Sequence, residues 1–566
     1  MKKLRWQLII IFLTGLVVGV LLLAEQQPTT QVISTPAPEQ GGVYTEALIG
    51  SMQRLNPMLD FANPVDRDVD RLLFSRLITF DSRGIPQPEL AETWNVSKDM
   101  TVYNVAIKSG VKWHDGRPLT ADDIIFTIDL LRAGGTFIPA DVQAFWKEVD
   151  VQAFNDTNLQ FKLPEAFSPF LDYLNFGVLP KHIYGDKKLD EIANMPDNLH
   201  PVGSGPYQFD RLVVENDKIT GVALSVFGDY YGKKPFIEQV IFRYYPDGPS
   251  AYKSYQDGIV QGIGQVTDDI LPAVLADPAL SVYSARRPEM AIVLLNEKDP
   301  QATFLKDPIV RRALMEAINR QALINKNLNG QAIIADGPIF PGTWAFYEGN
   351  ETLDYAPDQA LSNLKNAGYT ASTDKGSPLK KGDQALTFEL IHPDDATSQA
   401  IAKSIQKDWA AIGVKVQLTA LSYQKLVADR LDKRSYQAAL VNMNFSSSPD
   451  PDPYPFWDQA QATGGQNYTQ WDNRMASEFL EQARTTTDIA ERIKLYRNFQ
   501  LLFTQDMPAI PLYYPIYSYA IDHQIQGARI GPLYDTSDRF TNIVDWFLVS
   551  KKVRQTATET PAATQP

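Results

Sequence analysis

The sequence of 566 residues contains no cysteine and only five histidines. The absence of cysteine excludes disulfides, thiolate metal sites, a cysteine nucleophile and attachment through a lipidated cysteine. No two histidines have the spacing of metal ligands, so no metal site is predicted. The five are His114, His182, His200, His392 and His523.

Positive charge is also scarce. Lys and Arg number 53 against 67 Asp and Glu, which gives a formal net charge of −14 at pH 7. Binding to phosphate backbones needs clustered Lys and Arg. No nucleic-acid partner is therefore expected.

Nucleotide-binding and catalytic motifs are missing. The pattern GxxxxGK[ST] does not occur, and Gly262–Gly264 lacks the third glycine of a dinucleotide fingerprint. Ser204 lies in Gly203–Gly205, which is not the GxSxG elbow of hydrolases. Adjacent acids such as Asp122-Asp123 fall at a predicted helix start, where the helix dipole explains them. We predict no catalytic residue and no cofactor.

The N-terminus indicates where the chain is located. Lys2, Lys3 and Arg5 precede an apolar run from Leu8 to Ala24, close to the roughly 20 residues that span a bilayer. Residues 1–24 are predicted to be a signal peptide or a membrane anchor. Since Leu22-Leu23-Ala24 is a poor cleavage site, a retained anchor is favoured. Either way, the rest of the chain is expected on the extracytoplasmic side, periplasmic or at the cell surface.

Both ends of the remaining chain have the composition of unfolded segments. Residues 25–40 are rich in Pro, Thr and Gln and predict a flexible linker. Residues 551–566 predict a disordered tail. The folded part between them is too long for one core, so two or three domains are expected.

The folded part has the patterns of an α/β protein. Lys108–Arg132 predicts a strand, a turn and a helix capped by Thr120. Ser398–Ile412 has apolar residues at helical spacing, with Trp409 among them, and a strand follows Gly413. Helices alternating with strands in this way predict mixed sheets.

Asn442–Trp457, with the sequence NMNFSSSPDPDPYPFW, is the strongest candidate for a binding site. It follows a predicted buried strand, Ala438–Val441, and combines Ser, Asp, Pro and aromatic residues. Loops at strand ends, fixed by Pro and lined by polar and aromatic groups, bind small ligands in α/β proteins. A rigid surface loop without a ligand remains the alternative.

Several long motifs in order resemble a known family. They are AETWNVSKDMTVYNVAIKSGVKWHDG with the following helix, PVGSGPYQF, KDPIVRRALMEAINRQAL, YAPDQALSNLKNAGY, QNYTQW and MPAIPL. The chain resembles the family 5 extracytoplasmic solute-binding proteins of ABC importers, the group of the dipeptide-, oligopeptide- and nickel-binding proteins. The match covers residues 41–549.

The resemblance implies a bilobed periplasmic-binding-protein clamshell. Lobe I would comprise residues 41–81, 203–295 and 515–550, an extra subdomain residues 82–202, and lobe II residues 296–514. Ligand in the cleft would close the lobes by a hinge motion. The chain would be a monomer that delivers its ligand to ABC permease and ATPase subunits in the membrane, without catalysis.

The resemblance places the ligand against the Asn442–Trp457 loop. The residues expected to line the cleft are Asn444, Ser446, Ser447, Asp450, Asp452, Trp457 and, from elsewhere in lobe II, Trp344. In peptide-binding relatives an Asp clamps the α-amino group. If Asp450-Pro451-Asp452 corresponds to the D-P-D of those relatives, that position falls on Ser447, which cannot neutralise an ammonium. The region of the Arg that binds the ligand carboxylate, here Pro393–Lys403, contains no Arg.

Three functions therefore stay open. The first is capture of di- to oligopeptides for import. The second keeps the fold and binds an oligosaccharide or other neutral solute, which the missing charge clamps and Trp344, Trp409 and Trp457 favour, although the helical register places Trp409 in a core. The third, a secreted hydrolase, has only its location and its many carboxylates in support.

Overall fold

The computed structural model describes residues 32–371, 376–446 and 448–556. Its strands are β1 (Val32–Glu39), β2 (Val43–Ile49), β3 (Ile78–Phe80), β4 (Pro86–Pro88), β5 (Ala91–Val96), β6 (Val102–Ile107), β7 (Asp150–Asn155), β8 (Asn158–Lys162), β9 (Tyr207–Glu215), β10 (Lys218–Val226), β11 (Gln239–Tyr245), β12 (Gly262–Ile263), β13 (Leu280–Arg286), β14 (Glu289–Leu295), β15 (Ala332–Ile334), β16 (Lys380–Lys381), β17 (Gln384–Ala385), β18 (Thr387–Pro393), β19 (Lys415–Leu421), β20 (Ala438–Asn444), β21 (Ala509–Asp522) and β22 (Val549–Thr556).

Helices connect most of these strands. The α-helices are α1 (Pro64–Leu73), α2 (Ala121–Ala133), α3 (Ala140–Glu148), α4 (Lys181–Tyr184), α5 (Leu189–Ile192), α6 (Gly248–Gln256), α7 (Leu271–Ala276), α8 (Pro308–Glu316), α9 (Arg320–Asn327), α10 (Pro357–Asn366), α11 (Ala396–Ala411), α12 (Tyr423–Lys425), α13 (Tyr454–Trp457), α14 (Arg474–Arg484) and α15 (Ile489–Asp506). The 3-10 helices are Ser168–Leu174, Pro196–Leu199, Thr303–Lys306, Gln459–Ala462, Thr536–Phe540 and Ile543–Asp545, and Leu426–Leu431 is a π-helix.

A mixed sheet runs through both lobes. Among the described residues it has twelve strands in the order β19-β18-β20-β14-β21-β12-β2-β11-β10-β9, with β13 and β15 also paired to β21. Strand β2 lies parallel to β11 and β12, β18 lies parallel to β19 and β20, and β14 is antiparallel to both neighbours. The predicted α/β fold with mixed sheets is confirmed.

Two antiparallel segments cross between the lobes. The first half of β21 pairs with β14 in lobe II, and its second half pairs with β13 in lobe I. The other crossing is the short link from β13 to β14, where the Arg287 N–H donates to the Pro515 carbonyl oxygen at 2.8 Å. The two crossings therefore lie side by side, as a hinge between two bodies requires.

The predicted boundary of lobe I at residue 295 is wrong by one strand. All seven residues of β14 pair with β20 of lobe II, from Glu289↔Asn444 to Leu295↔Ala438. Side chains of β14 alternate between two lobe II cores, with Val293 in one and Ile292 in the other. Lobe II thus begins near residue 288, because the pairing partner of β14 lies almost 150 residues further along the chain.

The extra subdomain has its own sheet, in the order β5-β6-β8-β7. Its buried side chains nevertheless share one hydrophobic core with lobe I, in which Trp113 and Trp146 join Val69 and Phe242. We infer that the subdomain and lobe I move as one body. Within the subdomain, the predicted strand–turn–helix of Lys108–Arg132 is confirmed by β6 and α2, where the Thr120 N–H donates to Asp123 Oδ2 at 2.9 Å.

The chain ends differ from the prediction where the structure describes them. Strand β1, inside the predicted linker 25–40, pairs antiparallel with β22, which enters the predicted tail 551–566. The ladder satisfies backbone groups on both segments, and their partners lie some 500 residues apart, so composition alone could not reveal it. The predicted signal or anchor, residues 1–24, lies outside the described residues. Within the described ranges, no helix has the length and apolar character of a membrane span.

Candidate ligand-binding cleft

A cavity of about 750 Å³ lies between the lobes. Lobe I contributes α1 and the residues before it, the extra subdomain contributes the 3-10 helix Ser168–Leu174, and lobe II contributes β20 and the loop after it. Its lining includes Asp60, Arg67, Asp70, Arg71, Arg76, Asp141, Asp172, Asn442, Asn444, Ser446, Asp450, Asp452, Trp457, Tyr468, Arg484, Asp535 and Asp538.

The end of β20 presents amide side chains to the cavity. Alternation along the strand buries Val441 and Met443 and leaves Asn442 and Asn444 exposed. The Ser446 N–H donates to Asn444 Oδ1 at 2.8 Å and fixes the start of the loop. Asn444 and Ser446 thus line the cavity, and their contact with a ligand stays a prediction. Asn442 was missed, although the period of two in β20 indicates it.

Asp450 lines the cavity but already has a cationic partner. Arg492 on α15 donates to its two oxygens at 2.6 and 2.8 Å, and both side chains are buried. The Trp344 ring lies against the Arg492 guanidinium, 4.8 Å from ring centroid to Cζ. Trp344 is 5% exposed and is not among the residues that line the cavity, so its contact with a ligand stays a prediction without support from the cavity. Predicted Ser447 lies outside the described residues.

Asp452 is paired in the same way. Arg484 donates to Asp452 Oδ2 at 2.8 Å, and its guanidinium lies 4.1 Å from the ring centroid of Tyr454 and 4.9 Å from that of Phe167. Burial raises the pKa of Asp452, and the Arg484 charge opposes that rise. Since Phe167 belongs to the extra subdomain, this arginine also connects the two bodies.

The tryptophans do not form a stacking surface. Trp457 lines the cavity but is only 2% exposed, with its ring edge-on to Phe503 at a centroid distance of 4.8 Å. Trp409 is buried, as its helical register predicted, and donates to the Leu314 carbonyl oxygen at 2.8 Å. Trp344, Trp409 and Trp457 are each at most 5% exposed, so they do not favour an oligosaccharide ligand.

The extra subdomain and lobe II touch along one rim of the cleft. Asp172 Oδ2 accepts the Asp450 N–H at 2.8 Å, and the Ser168 hydroxyl donates to the Thr486 carbonyl oxygen. Burial, and then the charge of Asp450, raise the pKa of Asp172 well above its usual range. These contacts, which we call the rim contacts, join the extra subdomain to lobe II.

Charged residues from α1 and the C-terminal segment form the opposite wall in lobe I. Ion pairs join Arg67 to Asp535 at 2.7 Å and Arg76 to Asp538 at 3.9 Å. This wall was not predicted from the sequence. The sequence signal for this wall is the charged run DRDVDR at residues 66–71, which is unusual for a helix that packs on a core.

Asp60 and Asp70 stand apart from these ion pairs. Both are buried, at 6% and 2% exposure, and both line the cavity. Neither oxygen of Asp70 has a hydrogen-bond partner among the described residues. Burial raises the pKa of Asp60 to about 8, and burial together with the Asp60 carboxyl raises that of Asp70 well above its usual range.

The motif histidine His114 serves packing. Its Nδ1 accepts the Gly203 N–H at 3.1 Å, and its Nε2 lies 3.2 Å from the Gly205 carbonyl oxygen. Burial lowers the pKa of His114 to about 4. In the described ranges, no group of three His, Asp or Glu side chains is arranged to hold a metal ion.

Comparison with known proteins gives consistent matches. The profile described as "Bacterial extracellular solute-binding proteins, family 5 Middle" matches residues 86–466. The chain is similar to the dipeptide-binding protein of Escherichia coli K12, with 25% identity over 506 residues, 86% of this chain and 91% of that protein. It is also similar to the oligopeptide-binding protein AppA of Bacillus subtilis 168, with 26% identity over 534 residues, 91% of this chain and 93% of that protein. The solved structure of Bacillus subtilis AppA in complex with a nonapeptide superposes with a TM-score of 0.66 at 25% identity, covering 91% of this chain and 100% of that one.

Proposed function

The chain belongs to family 5 of the bacterial extracellular solute-binding proteins, and from this premise we propose that it captures peptides for an ABC importer. The main support is its similarity, over more than nine-tenths of their length, to proteins named as dipeptide- and oligopeptide-binding. A cavity of about 750 Å³ between two hinged bodies fits such a role, because small-ligand sites have volumes of this order.

The cleft offers a peptide partners on both sides. On lobe II, the amides of Asn442 and Asn444 and the Ser446 hydroxyl can both donate and accept, as peptide backbones require. On lobe I, the charged wall faces them across the cavity. A ligand that touches both walls stabilises the closed form, and the two crossings at Arg287 and Pro515 supply the hinge.

Membrane partners follow from the same family. Residues 1–24 act as a signal peptide or an anchor on the extracytoplasmic face, and the loaded monomer docks on an ABC permease served by ATPase subunits. The cargo leaves chemically unchanged. In support, the Gly-Ser-Gly turn around Ser204 is a packing element: a Cβ at Gly203 would lie 1.9 Å from the Leu73 carbonyl oxygen, and one at Gly205 would lie 2.3 Å from the Leu72 carbonyl oxygen.

Isothermal titration calorimetry tests the proposal. We expect heat of binding from pooled di- to hexapeptides and none from a pool of oligosaccharides. Asn444→Ala should weaken peptide binding, while Asn366→Ala, an exposed amide at the end of α10, should not. Heat from the oligosaccharides alone would contradict the peptide assignment and favour the neutral-solute alternative.

A further inference from the structure

We propose that the lobe I wall binds a positively charged group of the ligand between the carboxyl groups of Asp60 and Asp70. This site rests on the proposed function and names its cargo class, which is solutes that carry an ammonium group. The Asn442–Trp457 loop of lobe II then supplies polar contacts to the rest of the ligand.

The proposed site is built from two acids, one before α1 and one on it. Asp60 precedes α1, and Asp70 lies in its last turns, facing the same cavity. Both Asp70 oxygens are buried without a hydrogen-bond partner among the described residues. A buried polar group without a partner costs roughly 1–3 kcal/mol. A protein retains such a group at a cavity wall when a bound ligand supplies the missing hydrogen-bond partner.

The arginines of the cavity lining are already paired. Each arginine in its lining has an acidic partner within 4.0 Å; the pairs are Arg67–Asp535, Arg71–Glu89, Arg76–Asp538 and Arg484–Asp452. Asp450 is held by Arg492. In the described part of the chain, Asp60 and Asp70 have no ion-pair partner within that distance. Asp141 and Asp172 of the extra subdomain also lack an ion-pair partner there, but Asp141 is exposed and Asp172 already accepts the Asp450 N–H. The buried acidity that is left for a ligand therefore lies on lobe I.

Protonation keeps the carboxyl groups of Asp60 and Asp70 neutral while the cleft is empty. Burial is the largest cause of the raised pKa values, about 8 for Asp60 and well above the usual range for Asp70. The charged groups that act on the pair are Asp66, Arg67, Arg76 and Asp535, and the phenols of Tyr184 and Tyr244 lie within its influence. An arriving ammonium takes the place of a proton, which leaves for the solvent, so binding is linked to proton release.

The lobe II loop is a poor place for the same ammonium. Its acids Asp450 and Asp452 already hold arginines, and removing an arginine from a buried pair is costly. An α-amine and a lysine side chain share the chemistry that Asp60 and Asp70 recognise. Probes that carry only one of these two ammonium groups distinguish an α-amine from a lysine side chain.

The test uses the full chain and calorimetry at pH 6.0 and pH 7.0, in buffers with different ionisation enthalpies. The probes are tri-alanine, its N-acetylated form, N-acetylated Ala-Lys-Ala and spermidine. Probes with an ammonium should bind more tightly than N-acetyl-tri-alanine and about tenfold more tightly at pH 7.0 than at pH 6.0, with release of one proton. Whether tri-alanine or N-acetylated Ala-Lys-Ala gains more identifies the source of the charge.

Variants complete the test. Asp60→Asn and Asp70→Asn should remove the preference for charged probes, while Asp186→Asn, at an exposed carboxyl outside the cavity lining, should keep it. The comparison of free and acetylated probes uses only the unchanged protein. It therefore tests recognition of the ammonium group even if a variant does not fold.

Each failure points to a different error. If peptides bind but acetylation and the two variants have no effect, the ammonium site is wrong and the peptide function stands. If spermidine binds through Asp60 and Asp70 while no peptide binds, the site stands and the peptide function is wrong. If none of the probes binds, both are wrong.

Discussion

Replacing Arg492 by Met removes the cation of the buried ion pair that holds the binding loop to α15. Arg492 donates two hydrogen bonds to Asp450, at 2.6 and 2.8 Å, and a third to the Tyr496 hydroxyl at 2.9 Å. Methionine replaces the aliphatic stem, so the main loss is the charge. Breaking a buried pair from one side costs about 3–5 kcal/mol, because it leaves the other charge buried and unpaired.

The free energy of unfolding, from urea denaturation followed by tryptophan fluorescence, measures this loss. Arg474→Met is the matched control, since Arg474 pairs with Glu478 at 2.8 Å but both side chains are exposed. Exposed pairs of this spacing contribute about 0.3–0.5 kcal/mol. The double variant Asp450→Asn/Arg492→Met should recover more than about 1 kcal/mol, because a buried amide costs less than a buried charge.

Two results would refute this reasoning. One is a loss for Arg492→Met no larger than that for Arg474→Met, which would mean that water in the cavity solvates Asp450. The other is a double variant no more stable than Arg492→Met alone, which would mean that packing against Trp344, not charge, is what the arginine supplies.

Three further predictions concern other parts of the molecule. Gly203→Ala should lower the free energy of unfolding by about 1–3 kcal/mol in urea denaturation, since its Cβ would lie 1.9 Å from the Leu73 carbonyl oxygen, whereas Gly228→Ala, with open space around it, should be near neutral. Stability should fall as the pH drops from about 6.5 towards 4, because the pKa of His114 is lowered to about 4 by burial and the unfolded chain binds the proton first; His114→Gln should flatten this part of the pH profile, and an unchanged profile would contradict the assignment. Asp172→Ala should open the rim and weaken peptide binding about tenfold, with a larger radius of gyration by small-angle scattering, while Asp186→Ala, at an exposed carboxyl outside the cavity lining, leaves both unchanged.

Local patterns in the sequence predicted what depends on near neighbours. The helical spacing in Ser398–Ile412 predicted a helix, which is α11. The residue types after β20 predicted a binding loop, and residues of this loop line the cleft. The whole-chain resemblance led to the family and to the two lobes.

Features that depend on distant partners escaped prediction. Asp450 looked free because Arg492 lies 42 residues away on another helix. Strand β14 was assigned to the wrong lobe because its partner β20 is far along the chain, and β1 and β22 pair from opposite ends. Asp60 and Asp70 are ordinary acids in the sequence; only burial beside a cavity distinguishes them.

The position of β21 at the centre of the shared sheet has a consequence for how the chain folds. Strand β21 lies between β14 and β12 and pairs with strands of both lobes, yet it ends at Asp522, close to the C-terminus. Until this segment has emerged, both lobes have an unpaired strand edge, the kind of surface that invites association with other chains. Pairing over such sequence separations is also slow to form. The two lobes are therefore expected to complete their folding together, after nearly the whole chain has been exported, and a chain that stops before Ala509 should aggregate rather than yield one folded lobe.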